Sequence, residues 1–235
     1  MGINIFTDSP MTYSVSSFAR FRRQIGNYGM LTLAILLMML IRPFMEQGGD
    51  RGVAVDILFM MVFLAGVYAA RKEKYHYWVA ILLTSIGLAG RIHLHLTDYW
   101  LVPLLVQGSA MLFFLHALYN VMSFVWVQRH RVNHDVIFAA VSAYLLLGIV
   151  WAYLYEFHEM AYPGSFKGGH GPMEKDDFFY FSFVTLATVG YGDIVPLTRT
   201  GRSLAIVESL TGQLYLTILV ARLIGAYVSQ YRRQD

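Results

Sequence analysis

From Tyr99 to Val127 the chain carries no Lys, Arg, Asp or Glu. A run this long and this apolar has few places to fold. In hydrocarbon every backbone N–H and C=O must be satisfied within the segment, which selects a helix, and about 20 mostly apolar residues suffice to cross a bilayer. Composition shows that the run is not isolated. Of the 235 residues 57% are apolar and 14% charged, whereas a soluble domain carries about 25% charged residues. The sequence predicts an all-α, polytopic membrane protein.

Five further stretches qualify as spans. The first runs from Gly26 to Met45, with a continuous apolar core from Leu31 to Ile41 ended by Arg42-Pro43. The second is Val53 to Ala70, with Asp56 near one end, and the third is Tyr77 to about Gly90, extendable to Leu96. The fourth lies within the charge-free run, the fifth is Val136 to Tyr155 and the sixth Ser203 to Val228. Residues 12–24 mix aromatic and basic positions and read as a solvated tail with a positively charged anchor, or as a short helix on the inner leaflet. Glu156 to Asp176 bears Gly and Pro and is expected to be an irregular turret. A net charge of +3 without long basic runs argues against nucleic acid as a partner. The absence of cysteine excludes disulfides, thiolate metal sites and cysteine nucleophiles. Met1 to Arg23 lacks the apolar core of a signal peptide, so the N-terminus is expected to be retained. No catalytic residues are assigned, and the chain is read as a non-enzyme.

Chemistry concentrates in Thr188-Val189-Gly190-Tyr191-Gly192-Asp193. Gly190 and Gly192 relax the φ limits that a Cβ imposes, so alternate peptides can take left-handed values. Carbonyls stacked in a narrow column, with the Thr188 hydroxyl below, form rings of oxygen ligands when several copies meet on an axis, and such rings replace the hydration shell of a monovalent cation. The competing reading of Gly-Tyr-Gly-Asp is an ordinary turn.

The hexapeptide, with an aromatic-rich run from Asp177 to Ala187 before it and an apolar span containing Gly212 after it, resembles the selectivity-filter signature of potassium channels. The resemblance is specific over residues 176–228 and architectural over residues 25–130. It implies a homotetramer in which each chain supplies one quarter of the pore, with K+ as permeant ion at Thr188, Val189, Gly190 and Tyr191 and Gly192 completing the filter. It implies a re-entrant pore helix from Phe178 to Ala187, capped by Asp176-Asp177, between helices 5 and 6. Tyr180 and Phe181 occupy positions where many relatives carry tryptophans bracing the filter. Thr185 is expected to support the filter from behind. Val184 stands where some relatives carry a glutamate that binds the filter's aspartate, which leaves Asp193 without that partner. Gly212, twenty residues past Gly192, is read as a hinge or as a small residue for close packing. At helical period from Gly212, Leu216, Val220 and Ile224 share one face, joined by Gln213, and line a cavity with an apolar constriction at Val220 or Ile224. Glu208 is expected to hydrogen-bond the pore helix, and Arg222 to snorkel.

The implied division is an N-terminal cytoplasmic segment, residues 1–24; a four-helix peripheral domain, residues 25–128; and a pore domain, residues 129–235. With both termini cytoplasmic in the cell membrane, the inner connections hold Arg20, Arg22, Arg23, Arg71, Lys72, Lys74, Arg129, Arg131, Arg232 and Arg233, ten in all. The outer ones hold Arg42, Arg51, Arg91, Lys167, Lys175, Arg199 and Arg202, seven, which agrees with the positive-inside rule. Voltage-gated relatives carry arginines along the fourth span; here that span offers only Gln107, His116 and Asn120 as notable polar groups, so weak or absent voltage dependence is expected. With seven residues after Val228, the cytoplasmic ligand-binding domain of many relatives is not expected on this chain. A separate regulatory subunit remains a possible partner besides lipids. His93, His95 and Asp98, and Glu156, His158, Glu159 and His170, are candidate pH or metal sensors, against a plain reading as interfacial polar residues. A non-selective cation pore is the alternative, and a membrane haem or redox protein using His93, His95, His116 or His130 is a more distant one.

Overall fold

The computed structural model describes residues 26, 28–41, 51–70, 74–94, 101–128, 133–168, 171 and 173–231. Among these the helices are α1 (Tyr28–Ile41), α2 (Arg51–Ala70), α3 (Lys74–Leu94), α4 (Leu101–Val127), α5 (His134–Ala161), α6 (Lys175–Leu186) and α7 (Arg199–Tyr231), with a short ribbon of β1 (Phe166–Lys167) and β2 (Val195–Pro196). Three helices are long and apolar enough to cross a membrane, over Leu104–Val127, His134–Ala161 and Arg199–Ala226; α1 and the Met60–Ala69 part of α2 are shorter apolar helices. Helix α3 begins at Lys74, a turn ahead of the expected Tyr77.

The first helix shows why these elements pack as they do. Its buried residues Tyr28, Leu31, Thr32, Ile35 and Met38 recur at three and four positions, so one face turns inward. That face meets both α4 and α5. The Tyr28 and Phe124 rings lie 4.4 Å apart, and Thr32 Oγ1 is 2.7 Å from Ser142 Oγ. Asp135 of α5 accepts a hydrogen bond from the Tyr28 N–H at 3.3 Å, placing a carboxylate at the positive end of α1. Asn133 caps α5 by accepting from the Val136 N–H at 3.0 Å, the arrangement that satisfies an orphan first-turn donor.

The connection from Val127 to His134 is short, and α5 returns along α4 of the same chain. On the other side α3 packs on α4. His116 Nε2 lies 3.1 Å from the His76 carbonyl of α3, and the two imidazoles are 5.2 Å apart. Asn120 donates to the His116 carbonyl at 2.9 Å, so its partner is the His116 backbone rather than the ring. One core cluster fills the space between α1, α4 and α5. A second, of Tyr155, Phe166, Phe178, Phe181 and Ile194, sits beside the hexapeptide. Helix α7 is the exception to this burial. Only 11% of its most apolar window is buried within the chain, against 56% for α5.

Candidate functional site

Helix α6 brings the chain to the hexapeptide. Its N-cap is Glu174, not the Asp176-Asp177 pair, and the helix starts at Lys175 rather than Phe178. The reason lies in reach: Asp177, three residues past the cap, accepts the Glu174 N–H at 2.8 Å, the return half of a capping box. At the far end Ala187 donates to the Phe183 carbonyl at 3.0 Å, Thr188 to Thr185 at 2.9 Å and Val189 to Val184 at 2.9 Å. The chain then leaves the helix through an alternation. Thr188 has φ 56°, Gly190 φ 59° and Gly192 φ 80°, while the intervening Val189 and Tyr191 keep negative values. Among the described residues nothing donates to the carbonyls of Thr188, Val189, Gly190, Tyr191 or Gly192. These are strong acceptors left free within one chain, on a segment that is exposed throughout.

The hexapeptide is braced from behind. Tyr180 Oη donates to Asp193 Oδ2 at 2.7 Å, and Asp193 Oδ1 accepts from the Ile194 N–H at 3.1 Å. With valine rather than glutamate at position 184, a phenol one helical turn before Val184 is the side chain that reaches Asp193. Phe181 points away from the hexapeptide, buried with its ring 5.0 Å from Tyr155 and 5.5 Å from Phe166. Val184 contributes its carbonyl. Thr185 does the same, and it accepts a second bond from Ser209 Oγ at 3.3 Å.

Glu208 is buried completely and meets α6, the helix it was expected to hydrogen-bond. Its Oε1 lies 2.5 Å from Ser182 Oγ, and Tyr155 Oη donates to Oε2 at 2.5 Å. Sequence reasoning missed Tyr155 and Ser182, whose apolar surroundings read as ordinary span and pore-helix composition. Gly212 is a close-packing site: a Cβ there would overlap the Leu186 carbonyl oxygen, so the end of α6 rests on the α7 backbone. The buried positions Glu208 and Gly212, with the half-buried Tyr215 and Leu219, mark the face of α7 turned toward its own chain. Gln213, Leu216, Val220 and Ile224 all lie off that face and are exposed.

Arg222 does more than snorkel. Its guanidinium donates to the Val125 carbonyl and to the Trp126 carbonyl at 3.2 Å, and lies 4.9 Å from the centre of the Trp126 ring. The last turn of α4 leaves carbonyls without helical partners, and a planar cation with several donors suits them.

On the other side of the site, β1 pairs antiparallel with β2, Phe166 opposite Pro196. Glu159 accepts from the N–H groups of Gly164, Ser165 and Phe166 at 2.7, 2.9 and 3.1 Å. Lys175 pairs with Glu156 at 3.3 Å and donates to Gln107 Oε1 of α4 at 3.3 Å, while His158 Nε2 lies 3.4 Å from Thr198 Oγ1. Each of these turret groups thus holds local structure, and no group of three His, Asp or Glu suited to a metal occurs among the described residues. His95, Asp98, His130, His170 and residues 12–24 lie outside the described residues, as does the side chain of His93.

The family described as Ion channel matches residues 139–229, the interval from α5 to the end of α7. The chain is 31% identical over 108 residues to Protein LctB of Bacillus caldotenax, covering 42% of this chain and 80% of that protein. It is 51% identical over 53 residues to Two-pore potassium channel 4 of Arabidopsis thaliana, covering 23% of this chain and 19% of the relative. Over 105 residues it is 31% identical to the inward rectifier potassium channel Kirbac3.1 of Paramagnetospirillum magnetotacticum, covering 40% of this chain and 32% of the relative. No solved structure matches significantly. Apolar spans, the short helix α6 between two of them and an alternating loop of free carbonyls define a membrane protein of the ion-channel class. Within that class the chain belongs to the potassium channel family. It spans only about a fifth of the length of the two-pore relatives, 19% and 18%.

Proposed function

We propose that four copies of this chain surround a potassium-selective pore and pass K+ down its gradient, with no covalent chemistry. The observation that carries the reading is the left-handed alternation at Thr188, Gly190 and Gly192 with five consecutive carbonyls free of donors in their own chain. Brought together by fourfold symmetry, Thr188, Val189, Gly190, Tyr191 and Gly192 supply oxygen rings in place of a hydration shell. Tyr180, Val184, Thr185 and Asp193 support that filter and its mouth, and Phe181 packs behind them in the second core cluster. The exposed apolar flank of α7 supports the assembly, because it has no partner in its own chain and neighbouring copies would cover it. Gln213, Leu216, Val220 and Ile224 face the cavity below the filter, with a constriction at Val220 or Ile224, and Gly212 lets α7 pack against the end of α6.

In this reading six helices, α1 to α5 and α7, cross the cell membrane with both ends cytoplasmic. Residues 1–24 form the inner segment, residues 25–128 the peripheral domain and residues 129–235 the pore domain. The test is a reversal-potential measurement on purified protein in vesicles under opposed K+ and Na+ gradients. The wild type reverses near the K+ equilibrium potential, and Tyr191→Ala reverses near zero. An unchanged reversal potential in Tyr191→Ala removes the filter assignment.

A further inference from the structure

With Glu208 ionised, the contacts around it ask for two hydrogens from the Ser182 hydroxyl, which has one. Ser182 Oγ lies 2.8 Å from the Gly148 carbonyl of α5 and 2.5 Å from Glu208 Oε1 of α7. A serine hydroxyl has one hydrogen and can accept. A carbonyl only accepts, so if both contacts are hydrogen bonds, the serine hydrogen points to Gly148 and the hydrogen between Ser182 and Glu208 belongs to Glu208. Tyr155 Oη donates to the other carboxyl oxygen. Every polar atom of the group then has a partner.

The surroundings agree with this count. Glu208 is wholly buried and sits within a membrane-crossing stretch of α7. An isolated charge in such a place is costly, and neutralisation by a proton is the usual way out. The titratable groups turned toward it are Tyr155 and Tyr144 from α5, with Ser182 the polar contact from α6. No Lys, Arg or His among the described residues pairs with it. Three cations of α6 and α7 are engaged elsewhere: Lys175 with Glu156, Arg202 with the Pro196 carbonyl at 3.1 Å and Arg222 with the end of α4.

We infer that Glu208 works as a neutral carboxylic acid, a proton-bearing pin that joins α7 to α6 and, through Tyr155 and the Ser182–Gly148 bond, to α5. Its role is positioning. Ser182 lies on α6 six residues before Thr188, so the pin fixes the height and rotation of the helix that delivers the filter. What this task needs is one donor and one acceptor at fixed places, not a negative charge. Glutamine supplies the same pair in nearly the same shape.

The pin itself is independent of the proposed conduction; only its consequence for flux rests on that reading. Two measurements on the full chain in vesicles test them separately. The infrared spectrum of wild-type protein at neutral pH should contain a carboxylic-acid C=O band that survives transfer to heavy water, as a buried acid does. It should shift when glutamate is isotope-labelled. K+ flux of Glu208→Gln should stay within about twofold of wild type with unchanged K+ over Na+ preference, while Glu208→Ala, lacking both partners, should lose at least tenfold. Absence of the glutamate acid band in folded wild-type protein overturns the proposal, and that outcome needs no variant to fold. Loss of flux in Glu208→Gln equal to that in Glu208→Ala also overturns it, because charge would then be what matters. Wild-type protein that shows the band yet carries no K+ flux refutes the conduction reading and leaves the pin standing.

Discussion

Thr188 has a β-branched side chain and a φ of 56°, a combination that costs about 1–3 kcal/mol and persists only where neighbours impose it. Here the imposing bond is visible: the Thr188 N–H closes on the Thr185 carbonyl and turns the chain sharply out of α6. The two glycines of the alternation were legible in the sequence because a missing Cβ announces left-handed freedom. Thr188 was not, since its conformation is dictated by the helix end behind it rather than by its own preference. Tyr180 was half legible. Its aromatic ring fitted the brace role, but its hydroxyl reaching Asp193 depends on the pitch of α6. Tyr180→Phe keeps the ring and removes that bond, so K+ currents should decay faster during sustained recording, with reversal potential unaltered at early times. Gly212→Ala places a methyl against the Leu186 carbonyl. Overpacking of this kind costs about 1–3 kcal/mol, and purified protein in detergent should unfold at a lower temperature.

Among the elements, α4 was the easiest to locate and the hardest to interpret. Its freedom from charge marks it as a span, yet the same property conceals its attachments. Two of them are made by cations on other elements: Lys175, the first residue of α6, reaches Gln107 near its start, and Arg222 on α7 holds its last carbonyls. Neither partner could be inferred by periodicity, because each lies many residues away along the chain. The β1–β2 pairing escaped for a similar reason. Two residues on each side are too few to show an alternating pattern, and the pairing is fixed by the turret turn that Glu159 gathers. Arg222→Ala should free the inner end of α7 from α4 and change the open probability in single-channel recordings without altering selectivity. Arg222→Lys should resemble the alanine variant rather than wild type, since an ammonium cannot bond two carbonyls in a plane while stacking on Trp126.

For the whole molecule, the sequence identified the membrane class and the family. Six spans and the re-entrant path of α6 remain part of the proposal, because among the described residues only α4, α5 and α7 are long and apolar enough to cross a membrane. The absence of Lys and Arg in α4 carries a prediction at this scale. A charge crossing the field gains about 2.3 kcal/mol per 100 mV, and α4 has none to move. Open probability in bilayer recordings should stay flat as voltage is stepped across both polarities; a steep sigmoid would place a sensor elsewhere in the chain.

In the proposed tetramer, α5 returning along α4 of its own chain would keep each subunit's outer helices beside its own pore helices. In rings mixed from normal and Arg222→Ala chains, each damaged copy would then spoil its own quadrant alone. Activity should fall in steps with the number of altered copies, as dosage rather than dominance.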